Sequence, residues 1–323
     1  LRFLELNPAR LAREARLTGY AESVHAHFCA LVAALHDLGK LSKSFQYNCP
    51  PFWPDLVLGV RPDALPQTLR HWEATAILLN STEVKASISP ALGENGLPEM
   101  LISAVAGHHG TAPRGEHVHA EPWRAAKHSE IGRVCVAAAA ALTAELVSLF
   151  IDRTGPIDFC ELAEPEAFSF ALNGLITLAD WVGSDESFFE FVDPAIPLPD
   201  YWPLALRRAD EALESKGLLP ARTVPTPSLQ LLSGQAGRPR PMQALAGSMP
   251  IPKEPQIIVI EDGTGSGKTE AAFLLAGRMM AAGLGEGLFV ALPTMATANA
   301  MHGRLEAALG GLFDGGASLV LAH

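Results

Sequence analysis

The sequence predicts a multidomain protein, in which an all-α domain is followed by the start of an α/β domain. Up to about residue 217, apolar residues recur at three- and four-residue steps between Pro and Gly breakers, as they do in amphipathic helices. Residues 257–323 instead alternate short β-branched runs with helical stretches, which indicates a parallel α/β sheet. A chain of 323 residues is also long for a single core.

A proline-rich segment separates the two patterns. Residues 218–256 hold eight prolines and several glycines, so regular helix is not expected there. We therefore predict a first domain over 1–217, a linker over 218–256 and the beginning of a second domain over 257–323. The chain starts at Leu1 and stops in the apolar run SLVLAH, so we expect it to be part of a longer polypeptide.

Composition limits the possible classes of protein. A hydrophobic content of 48% with 18% charged residues is that of a globular protein. The net charge of -11 argues against a protein that holds nucleic acid by bulk electrostatics, although local basic grooves remain possible. The cysteines form no Cys-x-x-Cys pair and predict free thiols in the cytoplasm; they are Cys29, Cys49, Cys135 and Cys160.

No targeting or membrane segment is expected. Residues 1–20 mix Arg and Glu and lack a short apolar core. The most apolar stretch, 134–151, is interrupted by Thr143, Glu145 and Ser148, which favours a packed helix over a membrane span. We therefore predict no membrane partner.

Imidazole and carboxylate groups recur in a fixed order along the helical domain. His36 and Asp37 stand in ALHDLGK, and a lone His71, the pair in AGHHG and a late Asp in LADWVGS follow. The adjacent histidines of AGHHG cannot share one helical face, but both can turn toward a cavity at a helix end. Mixed His and carboxylate groups suit first-row transition metals, and two such ions about 3.5 to 4 Å apart can clamp a phosphodiester.

A phosphate-loop motif opens the second domain. The run GTGSGKT follows the apolar IIVIE and precedes a helical stretch, which is the context that such a motif requires. Asp262 stands where a strict motif has Gly. We predict that Lys268 reaches the β and γ phosphates of ATP and that Thr269 binds Mg²⁺. The predicted loop residues are Gly263, Thr264, Gly265, Ser266, Gly267, Lys268 and Thr269.

The runs LVAALHDLGKLSKSFQ, RHWEATAILL, AVAGHHG and LADWVGSDESFF resemble an HD-domain phosphohydrolase. In detail they resemble the HD nuclease of the CRISPR-associated nuclease-helicase of type I systems. The resemblance implies an all-α HD domain with two divalent ions, which could be Mn, Fe, Co, Ni or Mg, and with Asp37 as the bridge. The ligands that it implies are His36, Asp37, His71, His108, His109 and Asp180.

Other residues near these motifs have open roles. Asp37 and Lys40 are the candidate catalytic residues; Lys40 either contacts a phosphate or favours the end of its helix. Ser184 either touches the site or makes a helix-terminal hydrogen bond. The family also has a metal-binding His upstream of the His-Asp pair. His25 is about 16 Å from His36 along a helix, too far to serve, so we expect this ligand before Leu1 or in a segment that the sequence does not include.

The second domain resembles the RecA-like domain of superfamily 2 helicases. The run Arg240-Pro-Met-Gln243 resembles the Q motif, in which the Gln reads adenine, and ALPTMATANAMHGRL resembles the next helicase motif. The sequence shows no acidic Asp-Glu box. We therefore expect ATP binding with negligible DNA-stimulated hydrolysis.

The resemblance implies an enzyme of antiviral defence. It would cut single-stranded DNA fed by ATP-dependent 3′ to 5′ translocation, after recruitment by the RNA-guided CRISPR surveillance complex. Two alternatives stay open at this point: a phosphohydrolase of nucleotides or cyclic nucleotides with a regulatory ATP domain, and a nuclease-dead binding module.

Three further histidines are expected in a loop, namely His117, His119 and His128.

Overall fold

The fold is helical throughout the part of the chain that the structure describes. A computed structural model describes residues 1–65, 69–93, 96–110, 130–151, 162–192, 196–233, 238–315 and 317–322. The chain divides into two compact units, Leu1–Ala212 and Leu213–His323. The predicted histidine loop (His117, His119 and His128) and Cys160 lie outside the described residues.

The described residues of the first unit form mainly α-helices. Two 3₁₀ helices, Leu38–Leu41 and Pro50–Phe52, lie between them. The α-helices are α1 Arg2–Glu5, α2 Pro8–Thr18, α3 Glu22–Ala34, α4 Lys43–Tyr47, α5 Asp55–Leu58, α6 His71–Leu79, α7 Thr82–Leu92, α8 Glu99–Ala106, α9 Arg133–Phe150, α10 Pro165–Gly183 and α11 Leu198–Ser215. The predicted all-α domain is confirmed.

Helix α3 runs through the core of this unit. Phe28, Leu31 and Leu35 recur at three- and four-residue steps and are fully buried. They belong to one cluster with apolar residues of α6, α8, α9 and α10. Because α3 is held on its apolar side, the chain that leaves its C-terminal end, His36-Asp37, is held as well.

Helix α9 is the one helix among the described residues that is long and apolar enough to cross a membrane. It contacts α7 and α3. Its buried residues include Val136, Ala139, Thr143 and Phe150, which lie within the unit. A packed core helix passes the same length and composition test, so α9 gives only weak evidence of a membrane span.

The turn after α3 and the start of α6 approach each other closely. The N–H of Gly39 donates to Thr75 Oγ1 at 2.9 Å, and the same hydroxyl donates to the carbonyl of His36 at 2.9 Å. A Cβ atom at position 39 would lie 1.8 Å from the carbonyl oxygen of His71. The glycine of HDLGK is therefore required by contact with a neighbouring backbone.

The second unit contains four α-helices among its described residues after α11. They are α12 Leu229–Ser233, α13 Pro241–Ser248, α14 Lys268–Ala281 and α15 Met295–Leu312. Their apolar sides form a separate small core that includes Ala271, Leu274 and Leu312. Two of the helices lie in the segment 218–256, so the expectation of no regular helix there was wrong. Pro241 is the first residue of α13, where its missing N–H has no helical partner to lose.

The predicted sheet is absent from the described residues. The segments 256–261, 287–292 and 317–322 run without assigned strand pairing, and a single bridge joins Thr223 to Phe313. A strand needs a hydrogen-bonding neighbour about 4.8 Å away. Residues 288–293 and 318–322 instead line a cavity of about 680 Å³ together with α15. The expectation of a formed α/β sheet was wrong for this structure, although the helices after two of these segments are present.

Replacing Gly39 by Ala is expected to lower the free energy of unfolding by about 2 to 3 kcal/mol, because the added methyl group must displace the backbone of α6. The measurement is chemical denaturation followed by circular dichroism. Gly174 is the matched control, since it is exposed in the middle of α10 with no atom within 4 Å of an added Cβ. Gly174→Ala should raise stability by up to about 1 kcal/mol. Equal stabilities of the two variants would contradict the close approach.

Candidate metal centre and phosphate-loop site

His36 and Asp37 lie in the turn between α3 and the first 3₁₀ helix. The Nδ1 of His36 is 2.6 Å from the carbonyl oxygen of Ala33. Because a carbonyl only accepts, Nδ1 carries the proton and Nε2 presents a lone pair. Asp37 Oδ2 lies 3.1 Å from this Nε2 and 2.5 Å from the Nζ of Lys40. Lys40 is thus held by the carboxylate of Asp37.

His71 is the first residue of α6. The helix start is fixed by Glu73, whose carboxylate accepts from the N–H of Arg70 at 3.0 Å. The Nε2 of His71 lies 3.5 Å from Asp37 Oδ1. The rings of Phe45 and Trp72 contact the imidazole edge-on, with centroids 5.6 and 5.2 Å away. Packing therefore restricts the orientation of His71.

His108 and His109 follow the end of α8, where the chain turns through Gly107. The Nδ1 of His108 donates to the carbonyl of Val105 at 2.8 Å, so its Nε2 also presents a lone pair. The two rings lie 4.3 Å apart, and His109 Nε2 is 2.9 Å from His71 Nε2. The helix end thus places both adjacent histidines at one site, as the sequence predicts for such a pair.

Asp180 reaches the site from α10. Its Oδ1 lies 3.5 Å from His36 Nε2 and accepts a hydrogen bond from the Ser184 hydroxyl at 3.2 Å. Ser184 therefore touches the site through Asp180. Thr177, one turn earlier, donates to the carbonyl of His108 at 3.2 Å and connects α10 to the histidine pair.

Three ligand atoms of this cluster are buried without a hydrogen-bond partner in the described structure. They are His36 Nε2, Asp37 Oδ1 and His108 Nε2. Buried polar atoms are normally paired, and a bound ion is one of the recognised exceptions. Imidazole lone pairs beside a carboxylate oxygen are the donor set that divalent first-row metals accept. The residues present therefore fit a divalent metal centre.

The cluster contains two overlapping groups of candidate ligands. One consists of His36, Asp37 and His108, and the other of His71, His108 and His109. Within each group the ligand atoms lie within 4.8 Å of one another. Asp180 belongs to neither group and lies beside the first.

Burial and charge set the protonation of the site. Burial lowers the pKa of His71 to about 4; the charge of Asp37 opposes this shift, and the charges of His109, Lys40 and His108 add to it. Burial also lowers the pKa of His108. Burial acts the same way on His36, but the carboxylates of Asp37 and Asp180 and the carbonyl of Ala33 together outweigh it and raise the pKa of that imidazole. Burial raises the pKa of Asp37, yet His36 and Lys40 outweigh it and hold that pKa well below its usual range. His71 and His108 are therefore neutral, and Asp37 ionised, near pH 7.

His25 and His27 lie outside this cluster. The imidazole of His25 is buried against the Thr18 hydroxyl at 3.0 Å, with Glu14 at 4.0 Å. The ring of His27 donates to the carbonyl of Ser23 on the same helix. The structure thus gives His25 a local structural role, as its distance from His36 along the helix predicts.

The phosphate loop precedes α14 in the second unit. Gly265 and Gly267 adopt φ values of 77° and 91°, which favour glycine, and α14 begins at Lys268. The Nζ of Lys268 donates to the carbonyls of Asp262 and Gly263 at 2.7 and 2.8 Å. The lysine is folded onto its own loop.

The segment at 238–243 lies against this loop. Arg240 donates to the carbonyl of Gly265, and the Gln243 amide is 3.5 Å from the carbonyl of Gly267. Both side chains line a cavity of about 370 Å³ together with Gly265, Ser266, Gly267, Lys268 and Thr269. Gly263 and Thr264, also predicted to bind nucleotide, are not among the described residues that line it.

Comparison with known proteins identifies the first unit. The family model described as "Cas3, HD domain" matches residues 2–189, more than half of the chain. The chain belongs to the Cas3 HD-domain family. The HD domain implies binding of a divalent metal, and the His and Asp cluster is a possible site for it.

Curated relatives carry the same name. The chain is 32% identical over 336 residues to the CRISPR-associated endonuclease/helicase Cas3 of Thermus thermophilus, with 98% of this chain covered. It is 29% identical over 312 residues to the protein of that name from Escherichia coli K12, with 90% covered. In both cases it spans 34% of the relative's length.

Solved Cas3 structures share the fold. A crystal structure of T. fusca Cas3 matches all of this chain with a TM-score of 0.76 and 25% identity, over 36% of its own length. The ATP form of T. fusca Cas3 matches with a TM-score of 0.70 and 25% identity over the same shares.

Several residues that shape the Cas3 HD-domain site were missed by sequence reasoning. Thr75 joins the His36 turn to α6, Phe45 and Trp72 pack on His71, and Thr177 joins α10 to His108. Thr75 and Trp72 stand within RHWEATAILL, one of the runs that carry the family resemblance, but the sequence assigns no role to either side chain. Only the fold shows which atoms they contact.

Metal binding is expected to release more protons per chain near pH 6 than near pH 8, because the pKa of His36 is raised above its ordinary value. As the pH falls through that pKa, the imidazolium must lose its proton before Nε2 can bind an ion, so affinity falls. Calorimetric titration of Mn²⁺ in buffers of different ionisation enthalpy counts the protons. His36→Gln should bind more weakly without this release. Equal proton release at both pH values in the unaltered chain would contradict this assignment.

Proposed function

We propose that this chain is the nuclease-bearing part of a CRISPR-associated nuclease-helicase, and that its cluster of His and Asp side chains hydrolyses phosphodiester bonds of single-stranded DNA. The convergence of three buried, unpartnered ligand atoms, from His36, Asp37 and His108, is the observation that carries the proposal. The relatives named endonuclease/helicase support the same reaction class.

The positions of the side chains indicate which of them hold the metal ions. We infer that His36, Asp37, His71, His108, His109 and Asp180 hold two divalent ions, which could be Mn, Fe, Co, Ni or Mg. When bound, such ions would polarise the phosphodiester and lower the pKa of an attacking water. Asp37 would bridge the two positions, since one of its oxygens faces His36 and the other faces His71.

Lys40 has a supporting role in this proposal. Its ammonium pairs with Asp37 at 2.5 Å, and its side chain is 42% exposed. A half-exposed cation beside the ligand carboxylate can contact a phosphate of the substrate without leaving Asp37 unpaired. The proposal takes up the first of the two roles that the sequence left open for Lys40, contact with a phosphate.

The phosphate-loop cavity is the proposed site of ATP with Mg²⁺. Four basic side chains and one carboxylate line it: Arg238, Arg240, Lys268, Arg304 and Glu270. This excess of positive charge suits a triphosphate. A solved relative in an ATP form supports the proposal, as does the fit of Arg240 and Gln243 against the loop.

We further propose that ATP hydrolysis in the whole protein moves single-stranded DNA 3′ to 5′ toward the HD site. Recruitment by the RNA-guided surveillance complex would supply the opened target. The relatives' description as CRISPR-associated supports this assignment to antiviral defence. The negative net charge of -11 fits a protein that grips DNA in a local channel.

Replacing Asp37 by Ala is expected to reduce cleavage of circular single-stranded DNA by about 100-fold or more, because the bridge between the two ion positions is lost. The assay follows conversion of the circle to linear and shorter products with Mn²⁺, Co²⁺, Ni²⁺ or Mg²⁺. His36→Ala and His27→Ala form a matched pair, since the ring of His27 hydrogen-bonds to a backbone carbonyl of its own helix and lies outside the cluster.

His36→Ala should lose activity, and His27→Ala should retain it. Release of phosphate from free nucleotides without DNA cleavage would instead support a nucleotide phosphohydrolase. No turnover with any of these ions would favour a binding module.

A further inference from the structure

Arg304 is a basic residue of the phosphate-loop cavity that comes from a distant part of the sequence. It lies in the second half of α15, whereas the other basic lining residues belong to 238–240 or to the loop itself. It stands in the run ALPTMATANAMHGRL and belongs neither to the phosphate-loop motif nor to the Q-like segment. Its presence in the cavity is therefore a property of the fold.

The Arg304 guanidinium is anchored at two points of α14. Its Nη1 donates to Thr269 Oγ1 at 3.1 Å, and its Nη2 pairs with the carboxylate of Glu270. The Arg304 side chain is 46% exposed, so it is free to move toward solvent. These contacts join α15 to the first turn of α14.

The contact with Thr269 is incompatible with magnesium at the same atom. The threonine of a phosphate loop binds Mg²⁺ through its hydroxyl oxygen. In this structure the guanidinium of Arg304 donates a hydrogen bond to that oxygen. Its positive charge would repel a magnesium ion at the same atom. One cation must leave before the other can bind.

Lys268 shows that the loop as a whole is in a closed arrangement. Its ammonium is satisfied by the carbonyls of Asp262 and Gly263, so it too must turn before it can reach a phosphate. Two cationic side chains of the protein, Lys268 and Arg304, thus contact the loop from two sides.

We propose that Arg304 is a positioning residue of the nucleotide site, which occupies the magnesium-binding hydroxyl of Thr269 until a magnesium-nucleotide complex displaces it. Glu270 keeps the guanidinium beside the cavity after displacement. The inference rests on the proposed nucleotide binding. Nucleotide is expected to bind more tightly with Mg²⁺ than without it. The proposal predicts that Arg304 makes this difference in affinity smaller.

The test is a fluorescence titration of a methylanthraniloyl-labelled ATP, with excess Mg²⁺ and with excess EDTA, on the unaltered chain and its variants. The decisive quantity is the ratio of the two dissociation constants. Arg304→Ala should increase the magnesium gain by about 5-fold, because Thr269 is then free for the ion. Arg304→Lys, which keeps the charge but loses the two-point contact, should give an intermediate ratio.

Arg238→Ala is the matched control, because it removes the same charge from the same cavity and, among the described residues, Arg238 makes no hydrogen bond to Thr269. It should weaken nucleotide binding equally with and without Mg²⁺. A ratio for Arg304→Ala equal to that of the unaltered chain or of Arg238→Ala would overturn the inference alone. Failure of the unaltered chain to bind, or binding that Lys268→Ala leaves unchanged, would overturn the nucleotide site and this inference with it.

Discussion

The hydroxyl of Thr75 is the contact on which the geometry of the metal cluster depends. It donates to the carbonyl of His36 and accepts from the N–H of Gly39, while the side chain is fully buried. One atom therefore fixes both ends of the HDLG turn against α6, the helix that begins with His71. Buried hydrogen bonds of this kind are costly to leave unmade. Glycine at position 39 permits the close approach, and the approach brings Asp37 between two sets of imidazoles.

Backbone carbonyls set which nitrogen of each imidazole carries the proton and which presents a lone pair. Ala33 and Val105 each accept from an Nδ1, so the Nε2 atoms of His36 and His108 point into the cluster as lone pairs. Both carbonyls lie three residues before their histidine, at the end of a helix where carbonyls lack helical partners. The helix ends thus supply the outer hydrogen bonds that orient metal-binding histidines. Burial keeps His71 and His108 neutral, whereas His36, whose pKa is raised, must exchange its proton for an ion as the pH falls.

Much of the helical unit could be predicted from sequence, because its apolar spacing is a local property that the core preserves. Phe28, Leu31 and Leu35 illustrate this, and so does the exit of His108 and His109 at a helix end. The orienting contacts could not be predicted, since Thr75 and Phe45 act across the fold on residues distant in sequence. The sheet of the second unit was predicted from β-branched runs, yet strands form only with hydrogen-bonding neighbours, and the segments around Val290 and Val320 line a cavity instead. Arg304 stands in the helicase-like run ALPTMATANAMHGRL, but its contact with Thr269 arises from packing of α15 beside α14 and could not be predicted.

The central claim is that Asp37 joins two ion positions formed by the histidines around it. Anomalous diffraction at the manganese edge, from crystals of the chain loaded with Mn²⁺, tests it most directly. The account predicts two peaks about 3.5 to 4 Å apart, with one oxygen of Asp37 toward each peak, His36 beside one and His71 beside the other. A single peak away from Asp37, or peaks only outside this cluster, would contradict it.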